Sequence, residues 1–184
     1  MIGVVPLAML GKFSRGISRE VVLFLPSEES GVGRLKFRKC LIVCTGNICR
    51  SVMGEALLKR DADLHGWDVA VESAGIGALK GQVADPNVVA LMRDRGLDVR
   101  GHRGRQLDSE MLKSADLVWV MEKKQEEWIV SRYPAARGKV HLLGKWSGVE
   151  IEDPYRQPRL VFELVLRKIE EELALWEEKL WARG

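Results

Sequence analysis

The sequence predicts an α/β domain in which four parallel strands form one sheet with helices on both faces. Three observations carry this. Short apolar runs occupy residues 40–43, 116–121 and 139–143, and a fourth, alternating run spans 67–73. Unbroken runs of this kind suit strands covered by helices on both sides. Helix-period segments separate them, and strands alternating with helices at these lengths imply right-handed βαβ units. The chain's 184 residues suffice for one core of this size.

Taken in order, Cys40-Leu41-Ile42-Val43 is the first strand, so the thiol of Cys44 falls at its carboxyl end. A helix follows from Ser51, with Met53, Ala56, Leu57 and Leu64 on one face and Glu55 and Arg60 off it. Residues 67–73 make the second strand and run into a glycine-rich loop, Ser73-Ala74-Gly75-Ile76-Gly77-Ala78-Leu79. Asp85-Pro86 caps and starts a helix through Val88, Val89, Leu91 and Met92, which Gly96 ends. Residues 116–121 form the third strand, and the next helix presents Gln125, Trp128, Ile129 and Arg132 before Pro134 stops it. After the fourth strand, residues 160–181 form a long amphipathic helix with Phe162, Ile169, Leu173, Trp176 and Leu180 along one stripe. Trp181 falls off that stripe and is expected to be a lone surface aromatic.

Residues 1–35 stand apart as an N-terminal extension, expected to be poorly ordered or the product of a start codon assigned too early. The apolar stretch 4–10 lacks the basic flank and cleavage site of a signal peptide, and 21–25 is a candidate extra strand. Residues 36–184 are then a single domain. A net charge of +3, with charges interleaved, gives no basic stripe for nucleic acid. No apolar run approaches the ~20 residues of a membrane helix, so membrane insertion is not expected. The three cysteines, 40, 44 and 49, are too clustered for a disulfide framework and suit a reducing cytoplasm. No second Cys or His pair stands at ligand spacing, so no metal is expected.

The chemistry concentrates in Cys44-Thr45-Gly46-Asn47-Ile48-Cys49-Arg50-Ser51. This octet joins a strand to a helix N-terminus, where unpaired N–H groups and the positive end of the dipole favour anions. Gly46 is expected to take a positive φ, and Asn47 tolerates the same region. The thiolate of Cys44 is the nucleophile, and Arg50 offers a planar fork to two phosphoryl oxygens. Ser51 can donate a hydrogen bond to the sulfur and ease its departure. The octet reads as a site for holding and breaking a phosphate ester, with Thr45, Gly46, Asn47, Ile48, Cys49 and Ser51 around the phosphate.

Such chemistry needs an acid for the leaving oxygen and later a base for water. Asp153-Pro154-Tyr155 is the candidate, since a parallel sheet brings the loop after its fourth strand over the strands' carboxyl ends. Tyr155 can wall a slot deep enough for a phenyl phosphate. Glu152 is the rival acid, and Asp153 is preferred for its adjacent proline. Arg103, Arg105 and Arg156 read as solvated or helix-end charges, with Arg156 close enough to the slot to meet acidic substrate segments. No metal or organic cofactor is needed.

The octet, with Cys44, Asn47, Cys49, Arg50 and Ser51 in place, resembles the signature of the low-molecular-weight protein tyrosine phosphatases, and the resemblance covers about residues 36–181. It implies a flavodoxin-like single domain, Asp153 as the general acid, and a hydrogen-bonded shell of Asn47, Ser51, Ser73 and His102 holding the phosphate loop open. The family has proline directly after the serine, where this chain has Val52; a looser loop is the expected consequence. The stretch 73–79 and Ile151-Glu152-Asp153-Pro154-Tyr155 look most like the bacterial branch linked to capsule and exopolysaccharide export. That branch acts on a membrane-bound tyrosine autokinase, which would be the partner. Leu79 stands where other branches place an aromatic wall and implies a more open slot. Two alternatives share the fold. An arsenate reductase would need cysteines beyond Cys49, and a non-catalytic phosphotyrosine-binding module would not need the intact Cys44, Arg50 and Asp153.

Overall fold

All four apolar runs form strands in the computed structural model, which describes residues 37–181, and every pairing is parallel. β1 (Lys39–Cys44), β2 (Ala70–Gly75), β3 (Leu117–Val120) and β4 (Val140–Leu142) lie in the order β2-β1-β3-β4. The helices are α1 (Arg50–His65), α2 (Pro86–Arg93), α3 (Ser109–Ser114), α4 (Lys123–Arg132) and α5 (Arg159–Leu180). The expectations for residues 1–35 fall outside the described residues.

The strand alternation divides the core in two. Cys40, Ile42 and Cys44 face one way, into a layer with Met53 and Leu57 of α1, Val88 and Met92 of α2, and Phe162, Ile169 and Trp176 of α5. Leu41 and Val43 face the other way, with Val118, Val120, Leu112 of α3 and Ile129 of α4. Both faces are therefore covered, and that is why β1 and β3 could be so uniformly apolar. The chain steps from β1 outward to β2 and then returns to β3 on the other side of β1. The loops after β1 and β3 diverge at that reversal and open a crevice at the strands' carboxyl ends.

Two expectations need correction, and one element is new. Leu64 is 73% exposed, while Leu58 and Ala62 are buried, because α1 packs on α5 as well as on the sheet. Trp181 is not a lone surface aromatic: it stacks on Trp67 at 5.2 Å between centroids and meets Trp119 edge-on at 6.4 Å. α3 was not legible, since six residues with one buried side chain, Leu112, give no helical stripe. Its Asp108 cap does accept from Met111 N at 2.9 Å. Among the described residues no helix is long and apolar enough to cross a membrane.

Candidate active site

The loop from β1 into α1 is built by its own peptide units. Ile76 N, Gly77 N, Leu79 N and Asp85 N donate to the carbonyls of Cys44, Thr45, Gly46 and Ile48 at 2.9–3.0 Å. In a planar peptide the C=O and the following N–H point in opposite directions. Fixing those carbonyls in the neighbouring loops thus turns the amides of Thr45, Gly46, Asn47 and Cys49 the other way. Asn47 N shows the direction, donating to Cys44 Sγ at 3.3 Å. Here the sequence reading needs adjusting, because Asn47 (φ 55), not Gly46, takes the left-handed conformation. Asparagine holds it because its side chain bonds locally. The glycine that matters sterically is Gly75, where a Cβ would stand 2.5 Å from Thr45 O.

Asn47 is the hub beneath the loop. Its Nδ2 donates to Ser51 Oγ at 2.9 Å and Ser73 Oγ at 2.8 Å, and its Oδ1 accepts from Arg105 N at 2.8 Å. Its carbonyl accepts from His102 Nε2–H at 2.7 Å. Ser73 in turn donates to Glu55. Ser51 Oγ lies 3.0 Å from Cys44 Sγ and is the donor when the sulfur is ionised. The shell of Asn47, Ser51, Ser73 and His102 is thus one connected network.

Cys44, Thr45, Gly46, Ile48, Cys49 and Arg50 line a slot of about 150 Å³ with Gly77, Leu79, Asp153 and Tyr155. Asn47 and Ser51 are fully buried behind it. Arg50 Nη2 meets Asp153 Oδ2 at 2.6 Å across the slot. Asp153 Oδ1 accepts from Tyr155 N at 3.2 Å, a local turn that fixes the wall relative to the acid. The rival acid, Glu152, is exposed and held away by Lys168 at 3.0 Å. A larger cavity, about 530 Å³, runs along α1 beside Leu64 and Leu97, but neither Cys44 nor Arg50 borders it.

The geometry can be set beside known proteins. A family model described as low molecular weight phosphotyrosine protein phosphatase matches residues 39–183. The chain is 44% identical to a probable low molecular weight protein-tyrosine-phosphatase, EpsP, of Ralstonia nicotianae, over 78% of this chain and 97% of that one. The chain belongs to the low molecular weight phosphotyrosine protein phosphatase family. Solved relatives include the tyrosine phosphatase Wzb of Escherichia coli K30 in complex with sulphate, 40% identical at a TM-score of 0.72, covering 78% of this chain and 99% of that one. They also include the YwlE arginine phosphatase of Geobacillus stearothermophilus, 32% identical at 0.73, covering 79% and 94%.

This phosphatase holds its arginine with groups that sequence reasoning missed. Glu122 Oε1 accepts from Arg50 Nη1 at 2.6 Å, and Ile151 O accepts from the same nitrogen at 2.9 Å. Lys124 Nζ pairs with Glu122 Oε2 at 2.6 Å, as an ion pair without hydrogen-bond geometry. Burial works against the charge on Glu122, yet Lys124 and Arg50 outweigh it and hold the carboxyl below the usual range. Gln125 is fully buried; it accepts from Met121 N at 2.9 Å and donates to Thr45 Oγ1 at 3.2 Å. Arg105, expected to be solvated, donates to Ser73 O at 2.9 Å. The one available signal was position, since residues 122–125 directly follow a buried strand in a parallel sheet.

Burial pushes the Cys49 thiol up, and Asp85, Cys44 and Asp153 push the same way. All three cysteines are free thiols, and Cys40, in β1, is pushed up to about 12 by burial and by Asp116. Val52 is the third residue of α1, not the first, and its N–H donates to Cys49 O at 3.1 Å, a bond proline could not make. The expected loosening at this position is therefore opposed by an added backbone bond.

Proposed function

We propose that this phosphatase hydrolyses phosphotyrosine through a cysteinyl phosphate on Cys44. Cys44 Sγ attacks phosphorus as the P–O bond to the phenol breaks, and Asp153 gives its proton to the leaving oxygen. Arg50 and the loop amides carry the phosphoryl charge, a preorganised arrangement that strengthens as charge spreads over the equatorial oxygens. Asp153, now a carboxylate, takes a proton from water as the oxygen attacks the phosphocysteine. Ser51 O–H stabilises the departing thiolate. The observation carrying this is the convergence of Cys44, Arg50 and Asp153 on one slot walled by Tyr155 and Leu79. Asp153 meets one arm of the guanidinium fork, so the acid lies beside the group that holds the phosphoryl oxygens.

Residues 36–184 would form the catalytic domain, with 1–35 as an extension. The substrate we infer is a tyrosine autokinase of bacterial polysaccharide export, met in the cytoplasm. Support comes from the resemblance of residues 73–79 and 151–155 to that branch and from the likeness to EpsP and Wzb.

The test is phosphate release from matched phosphotyrosine, phosphoserine and phosphoarginine peptides. Turnover of the phosphotyrosine peptide, abolished in Cys44→Ser, is the expected result. Preference for phosphoserine or phosphoarginine, or no release by folded, reduced protein, would overturn the reading.

A further inference from the structure

Two cations that form no ion pair among the described residues stand next in the chain to residues that line the slot. Arg156 directly follows the wall residue Tyr155, and Lys80 directly follows the wall residue Leu79. Both are exposed, and neither has an ion-pair partner among the described residues. Nearby cations are engaged otherwise: Lys124 by Glu122, Lys168 by Glu152, and Arg159 by Asp94 and Glu163. Arg156 is also held in an unusual way. Its φ is 64°, a left-handed conformation disfavoured for any residue with a Cβ, and its guanidinium carbon lies 5.2 Å from the Tyr155 ring centroid. The ring face attracts the cation without using up its N–H donors.

We propose that Arg156, with Lys80 beside the other wall, reads an anionic side chain next to the phosphotyrosine in the substrate. The preferred substrate is thus a phosphotyrosine flanked by carboxylates or by a second phosphate, the two sources of one chemistry. In this proposal a polypeptide whose phenyl ring enters beside Tyr155 and Leu79 presents its neighbouring residues to Arg156, which lies over the Tyr155 ring, and to Lys80, which follows Leu79. An anion there gains two partners whose charges are otherwise unpaired. The inference rests on the phosphotyrosine reading above and names the substrate class within it.

The experiment compares kcat/KM on four phosphotyrosine peptides of one length, flanked by glutamine, glutamate, lysine or a second phosphotyrosine. Wild type is expected to favour the glutamate peptide over the glutamine one by about fivefold, the scale of one exposed ion pair, and the doubly phosphorylated peptide by more. The preference should fade at roughly 0.5 M salt, where charges are screened within a few ångströms. Arg156→Lys should keep much of it, Arg156→Gln should bring the ratio near one, and Arg156→Glu should invert it toward the lysine peptide. Lys80→Gln should lower it by a smaller factor. Because each ratio is internal to one variant, a disturbed acid loop slows all four peptides and leaves the ratio unmoved; that outcome would overturn the inference. Equal turnover of all four by wild type would overturn it too while leaving the phosphotyrosine reading intact. No turnover of any peptide would remove both. Preference for the doubly phosphorylated peptide without preference for glutamate would assign phosphate as the anion read, and preference for both would assign negative charge generally.

Discussion

The phosphate loop and the acid loop meet across a single slot, yet they are built in opposite ways. Residues 44–51 are mostly buried and are tied by bonds from Ile76, Gly77, Leu79, Asp85, His102, Arg105 and Gln125 and by one that Asn47 donates to Ser73. Residues 152–157 are largely exposed and are held at fewer points: Pro154 and the preceding Ile151 are buried, Ile151 N–H donates to Met121 O at 2.9 Å while its carbonyl holds Arg50, and Asp153 and Glu152 pair with Arg50 and Lys168. The difference follows from what each loop meets. A phosphoryl group is always the same shape, so a cradle for it gains from being fixed in advance. The acid loop meets the rest of the substrate, and apart from Asp153, which turns onto Arg50, its polar side chains face solvent.

The comparison breaks most sharply if Asp153→Asn and a cradle substitution behave alike. Asp153→Asn should lower kcat by about 10²–10⁴, the usual worth of a positioned acid and base, while leaving Tm within about 2 °C because the side chain is exposed. Steady-state kinetics beside calorimetry checks both. Asn47→Ala should cut kcat/KM by about 10–100-fold and also lower Tm by about 5–10 °C, since it leaves Ser73, Arg105 N and Ser51 short of partners in a buried site. Thermal stability like that of wild type would show that the cradle is not the rigid half.

Glu122→Gln refines the contrast by loosening Arg50 without emptying the site. A fall in kcat/KM of about tenfold is expected, the worth of one charge-assisted hydrogen bond. The carboxyl of Glu122 is held below its usual range, so its stabilising contribution is complete at neutral pH and is lost as pH falls through that lowered value. The Tm of wild type and Glu122→Gln should accordingly converge in acid and separate above about pH 5.

The smallest effect lies away from both loops and acts as their control. Burial and the neighbouring Asp61 push Glu177 of α5 up to about 7. A carboxyl raised in the folded state binds its proton more tightly there than when unfolded. Its contribution is therefore present in acid and declines as pH rises from the ordinary carboxylate range to about 7. Glu177→Gln should be more stable than wild type at pH 8 and level with it near pH 4, with kcat unchanged at both. Equal melting curves at pH 8 would refute the assignment.

Much of the site was legible because it is local. The octet places nucleophile, turn, guanidinium and hydroxyl within eight residues, and a strand before it with a helix after it fixes their relation. Asp153 was legible through its proline, its tyrosine and its place after the last strand. Glu122 and Gln125 were not, because an acid or an amide in a charged helix start looks like a solvated one; their partners lie 72 and 80 residues away. Arg105 is exposed as expected, but its bonds to the site were not legible for the same reason, since the groups that its backbone and side chain meet are 58 and 32 residues distant. Leu64 was misplaced because helical periodicity gives a face and not what covers it.

By itself, then, the sequence held the α/β order of the elements and the local order of the chemical groups: a thiol at a strand's end, a helix start, an arginine and a hydroxyl within eight residues, and a carboxyl after the last strand. Tertiary structure alone decided which groups steady them. Strand order β2-β1-β3-β4 brings the ends of β1 and β3 side by side, so Glu122 reaches Arg50 and Gln125 reaches Thr45, while the return from β4 carries Asp153 over the slot. The physical reason is that bonding within a loop depends on neighbours in the chain, whereas a parallel sheet gathers the ends of strands that the chain keeps far apart.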